Sequence, residues 1–131
     1  MAGSVSITYQ EHRTIKKVTL DWTSDASGNV NGIKTKVLTG NLLRVVFIPD
    51  SGATQPTDLY DATLQDENGI DLLAGQGSNL SNSAVSHVQP GLPLKDGTTT
   101  SVNPVTIDDK LELNIQNAGA NKGGLVILYL R

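Results

Sequence analysis

The chain has 131 residues, 37% hydrophobic and 18% charged, with 10 basic against 13 acidic side chains and a formal net charge of -3. A chain of that length suits one core, able to withdraw roughly two-thirds of its unfolded surface from water. The acidic balance, with no basic run denser than Lys16-Lys17, excludes an electrostatic nucleic-acid binder, and the lack of Cys excludes disulfides, a Cys zinc site and a catalytic thiol.

The opening residues, Met1-Ala2-Gly3-Ser4-Val5-Ser6, lack the basic and apolar regions of a secretory leader. No run approaches the roughly 18 apolar residues of a membrane span, so synthesis in the cytosol without membrane insertion is expected. Ser4 to Tyr9 alternates, with Val5, Ile7 and Tyr9 on one side and Ser4, Ser6 and Thr8 on the other, which predicts either a first strand or an extended arm over residues 1–13. Residues 14–131 are then expected to form a single β domain.

Ile15 to Trp22 places Val18, Leu20 and Trp22 on one face and Lys17, Thr19 and Asp21 on the other, the pattern of a half-buried strand. Asp25-Ala26-Ser27-Gly28-Asn29 supplies turn chemistry, so Val30 to Leu38 reads as its hairpin partner. Leu42 to Ile48 is apolar on both faces except at Arg44 and stops at Pro49, which predicts a central strand. Asp50 to Thr57 has no period and reads as a loop. Leu59 to Gln65 alternates again, and Asp66-Glu67-Asn68-Gly69 turns it toward Ile70 to Leu73 in a second predicted hairpin.

Residues 74–103 are the least strand-like stretch, rich in Gly, Ser, Asn and Thr, with a short helix predicted over Leu80 to Val88. A connection of this length usually carries an interaction surface. Pro104 to Ile107 and Leu111 to Ile115 give two more strands, and Gln116 to Gly123 reads as a Gly-rich hairpin loop into Gly124 to Leu130. That last stretch is apolar on both faces, Leu125, Ile127 and Tyr129 against Val126, Leu128 and Leu130, so both faces need cover. The sum is about eight strands and an all-β fold, an antiparallel β-sandwich with a jelly-roll-like layout.

Candidate chemistry is sparse. His12 and His87 are far apart and neither has a second ligand at metal spacing. Ser is plentiful without a Gly-x-Ser-x-Gly elbow. Asp66-x-Asn68-Gly69-x-Asp71 has a partial likeness to a calcium loop but lacks its terminal Glu, and Asp and Asn in turns have a conformational reason to be there. Neither Gly75-x-Gly77 nor Lys122-Gly123-Gly124 leads into the helix that a phosphate loop needs. Trp22 stands without an aromatic or basic cluster and reads as core. The residues predict no enzyme, no cofactor and no resident metal, and leave surface apolarity as the functional clue. Two sources of cover are open for the second apolar face: the chain's own 74–103 segment, or another subunit.

Three phrases, Lys17-Val18-Thr19-Leu20-Asp21-Trp22-Thr23-Ser24-Asp25-Ala26-Ser27-Gly28-Asn29-Val30, then Pro56-Thr57-Asp58-Leu59-Tyr60-Asp61-Ala62-Thr63-Leu64-Gln65-Asp66-Glu67-Asn68-Gly69, then Asn117-Ala118-Gly119 leading to Lys122-Gly123-Gly124, resemble small proteins encoded among the virion genes of tailed bacteriophages. The resemblance covers residues 15 to 130 in phrasing and layout and carries no active-site residues. It implies a capsid cement or decoration protein on the outer shell of the virion, made in the host cytoplasm, bridging major capsid subunits as a homodimer or homotrimer. A tail, baseplate or fibre component is the rival within that class, and a small host-glycan-binding module the rival outside it. In this setting Val5, Ile7 and Tyr9 are expected to contact a partner as an arm or added strand, together with Leu80, Val85, Val88, Leu92 and Leu94 of the long segment.

Overall fold

A computed structural model describes residues 3–93, 101–102 and 105–131. The chain is all-β and antiparallel, with no α-helix among the described residues. Its strands are β1 (Ser4–His12), β2 (Ile15–Thr23), β3 (Leu38–Pro49), β4 (Asp61–Gln65), β5 (Ser86–Val88), β6 (Leu92–Pro93), β7 (Ser101–Val102), β8 (Val105–Asp109), β9 (Glu112–Gln116) and β10 (Gly123–Leu130). A six-stranded sheet runs β1-β2-β10-β3-β5, and β8 pairs with the first half of β3. The β4–β9 ribbon is separate, as is the short β6–β7 pair.

The doubly apolar last stretch takes the middle of the large sheet, with β2 on one side and β3 on the other. Registers Val18-Leu128-Val45 and Leu20-Val126-Phe47 line one face of that sheet, all buried. This face meets Tyr60, Ala62 and Leu64 of the β4 side and Leu113 and Ile115 of β9 in one core cluster. Removing each such side chain from water contributes about 1.5–3 kcal/mol. Trp22 is fully buried there, its ring centroid 5.6 Å from that of Tyr60. Gly124 sits opposite Trp22 in the register, and a Cβ there would stand 3.0 Å from the indole and 2.9 Å from the Ile48 carbonyl oxygen. Only a glycine lets the indole and the Ile48 carbonyl approach the backbone this closely.

The N-terminal residues form an ordinary edge strand. β1 pairs with β2 along its whole length through a two-residue loop, Arg13-Thr14, with Arg13 at φ 59°. Four sequence expectations change. The partner of β2 is not the 30–38 segment, because both edges of β2 are taken by β1 and β10; that segment crosses to the ribbon instead, where Val30 bridges Ile115 and Lys34 bridges Glu112. The 116–123 loop is not a hairpin but a crossing between layers, since β9 pairs with β4 while β10 pairs with β2 and β3.

Leu80 to Val88 forms no helix: Leu80 bridges Tyr60 and Ser86–Val88 pairs with β3. The Ser81 hydroxyl accepts the N–H groups of Ser83 at 3.2 Å and Ala84 at 3.0 Å, a local turn that competes with helix continuation. The second hairpin is truncated, with Gln65 bridging Asp71 and the Leu72 N–H donating to the Leu64 carbonyl at 2.8 Å. The ribbon is thus widened by the 30–35 segment beyond β9 and by 71–80 beyond β4.

Candidate functional site

Among the described residues, the core cluster draws on one face of the large sheet and takes no side chain from the other. On that outer face the strand alternation aligns Lys17-Tyr129-Arg44, Thr19-Ile127-Val46 and Asp21-Leu125-Ile48 in three rows across β2, β10 and β3. Ile127 and Val46 at the centre are buried, each 9% exposed, while Leu125, Ile48 and Tyr129 are half-buried. The Arg44 guanidinium lies 4.6 Å from the Tyr129 ring centroid and the Lys17 ammonium 5.9 Å from it, so two cations flank one aromatic ring. The flanking rows, with Arg44 and Asp21 exposed and Lys17, Tyr129, Leu125 and Ile48 half-buried, are what this face presents to solvent, a mixture of apolar and charged groups found in protein-binding patches.

The described part of the long segment divides: β5 extends the large sheet beyond β3, with His87 opposite Val46 in the second row, and residues 77–82 lie elsewhere. The Leu59 N–H donates to the Leu80 carbonyl at 3.0 Å, the Ala62 N–H donates to the Gly77 carbonyl at 2.7 Å, and Gln55 Nε2 donates to the Asn82 carbonyl at 2.9 Å, so residues 77–82 run along the ribbon. Leu80 and Val88 are buried in the chain's own core. Val85 is 63% exposed. Leu92 enters the backbone pairing of β6 with β7, and Leu94 falls outside the described residues. Val5 and Ile7 are half-buried against the core from β1, and Tyr9 at 37% exposure accepts a hydrogen bond from the Lys36 N–H at 2.9 Å. The sequence reading named Val5, Ile7 and Tyr9, which lie on the core side of the sheet, and did not single out Lys17, Arg44 and Tyr129. The doubly apolar period of β10 was the available signal; which of its faces points outward is decided by the layer crossing at 116–123.

The aspartates that suggested calcium organise loops. Asp66 Oδ1 accepts the N–H groups of Asn68 at 2.9 Å and Ile70 at 3.0 Å, and the Asp71 carboxylate accepts those of Leu73, Leu64 and Gly75. Asp61 takes the Asn79 N–H at 2.8 Å and Asn117 Nδ2 at 2.7 Å. Asp25 accepts from Asn29 and Ser27, and the bond from Asn29 is the main reason its carboxyl is held below the usual 3.8. No group of three or more metal-binding side chains converges among the described residues. The solvent side of the ribbon carries a shallow depression lined by Asp61, Thr63, Gln65, Glu112, Asn114 and Gln116, with no aromatic ring among the lining residues.

Comparison with known proteins adds no relative: no family model, curated protein or solved structure matches the chain.

Proposed function

We propose that the chain is a structural protein of a tailed-phage particle, of the head cement or decoration type, which lays the outer face of β2, β10 and β3 on the major capsid protein and associates with copies of itself. The observation that carries this reading is that outer face, where half-buried Leu125, Ile48 and Tyr129 stand with Lys17 and Arg44 on the side of the sheet that gives no side chain to the core cluster among the described residues. The resemblance of residues 15 to 130 to virion proteins supplies the setting. The protein acts by binding, with no chemical step. A ligand that recognises only the assembled shell stabilises it by mass action, and several copies docked symmetrically strengthen the effect through effective concentration.

Apolar burial and the Arg44 guanidinium supply the contact energy at the centre of the patch, because aromatic and Arg anchors dominate such interfaces. Lys17 and Asp21, at opposite ends of the same strand face, fix orientation. A density map of the purified particle tests the proposal. Density for this fold at junctions between major capsid subunits is the expected result; density confined to the tail or baseplate, or none on the outer shell, overturns it.

A further inference from the structure

The outer edge of β1 carries a second contact. We infer that β1 is the self-association strand, pairing antiparallel with β1 of a second copy about a two-fold axis at Ile7 and joining two six-stranded sheets into one. This inference rests on the self-association in the reading above and is independent of where the protein docks.

Four observations carry it. First, β1 ends the sheet, and among the described residues no strand pairs with its outer edge. Second, the strand itself carries no guard between Ser4 and Gln10: it is regular against β2, and this stretch has neither a proline nor a charged side chain, the Lys36 ammonium lying 4.4 Å from the Tyr9 ring centroid at its far end. Monomeric proteins normally blunt long edges with charge, proline or bulges.

Third, the backbone parity is right. The two-residue loop makes His12 and Ile15 a hydrogen-bonded pair, and the alternation of antiparallel ladders then turns the N–H and C=O groups of Val5, Ile7 and Tyr9 away from β2. These are the groups that a second β1 needs.

Fourth, the sequence of the strand is chemically palindromic about Ile7. In a symmetric pair Ile7 meets Ile7, Val5 meets Tyr9, Ser6 meets Thr8 and Ser4 meets Gln10. Apolar faces apolar on the core side and small polar faces polar on the solvent side. No like charges face each other, because Glu11 falls opposite Gly3. Val5 and Ile7 are only half-buried and Tyr9 is 37% exposed, so the pair extends both cores across the junction. Cross-strand pairs of these types each contribute about 0.2–1 kcal/mol beyond the ladder hydrogen bonds.

Ser6 and Thr8 are exposed on the solvent side, so substitutions there leave the monomer fold intact and read the contact directly. Sedimentation equilibrium of the isolated full chain should show a dimer. The Ser6→Lys/Thr8→Lys variant, which sets Lys against Lys at both symmetry-related pairs, should weaken it roughly 10- to 100-fold. The Ser6→Lys/Thr8→Glu variant, which sets Lys against Glu across the junction and keeps the new cation opposite Asp21 of β2, should restore it. Unchanged circular dichroism confirms that both variants fold. A native chain that is monomeric at about 100 μM, a double-Lys variant that dimerises like the native chain, or a Lys/Glu variant that fails to recover would each overturn the inference. Shell binding is read in a separate assay, so failure of this contact and failure of the docking proposal are distinguishable.

Discussion

At the scale of single residues, the fold depends on a few close approaches. Gly124→Ala drives a methyl group into the Trp22 indole and the Ile48 carbonyl, and overpacking of this kind costs about 1–3 kcal/mol. Urea unfolding followed by emission of the single Trp should report that loss as a lower midpoint at unchanged slope. Thr35 is a buried hydroxyl whose oxygen accepts the Leu111 N–H at 3.0 Å and donates to the Lys36 carbonyl at 2.7 Å. Thr35→Val strands that N–H and should cost about 1–3 kcal/mol, while Thr35→Ser keeps the bond and most of the stability. Burial, aided by Asp50, pushes the Tyr60 hydroxyl up from 10.0 to about 12. The unfolded chain therefore releases this proton first, and stability present below pH 10 is lost as pH rises toward 12. The loss is on the order of 1–2 kcal/mol, and Tyr60→Phe should flatten it in an alkaline unfolding series.

At the scale of elements, the crossings between layers matter more than the hairpins. Ser24 ties the end of β2 to the crossing that enters β10: its hydroxyl donates to the Gly119 carbonyl at 2.6 Å and accepts the Lys122 N–H at 2.9 Å. Ser24→Ala should destabilise the chain by about 1–2 kcal/mol and raise hydrogen exchange across 117–123 before it affects β3. The longer strands were legible in the sequence, though not the short β5, β6 and β7. Period-two alternation marks β1, β2, β4 and β9, and double apolarity marks β3 and β10, because these patterns record which faces are buried. Pairing was not legible. Nothing in Val30 to Leu38 says that β2 has both edges occupied, and nothing in Gln116 to Gly123 distinguishes a hairpin loop from a layer crossing, since Asn and Gly at positive φ serve both. The 80–88 stretch misled because Ser81 can cap a helix or close a local turn, and the apolar Leu80 and Val88 decided the matter by joining the core.

At the scale of the whole molecule, the large sheet has two sides with different tasks. One face builds the core with the ribbon. The outer face is the one proposed to dock on the capsid, and the β1 edge the one inferred to pair with a second copy of the chain. The sequence disclosed the apolar excess of β10 and the alternation of β1, so part of the candidate site was readable in advance. Lys17, Arg44 and Tyr129 were not, because the site exists only when three strands distant in sequence lie side by side. Leu125→Lys tests the docking face with little risk to the fold, as Leu125 is half-buried and sits beside Asp21, which supplies a counter-charge. The measurement that bears most directly on the central claim is co-sedimentation of the purified chain with tailed-phage shells stripped of their own decoration protein. The account predicts that the native chain pellets with the shells and that Leu125→Lys, equally folded by circular dichroism, stays in the supernatant. A native chain that stays in the supernatant, or a variant that pellets as the native chain does, would contradict it.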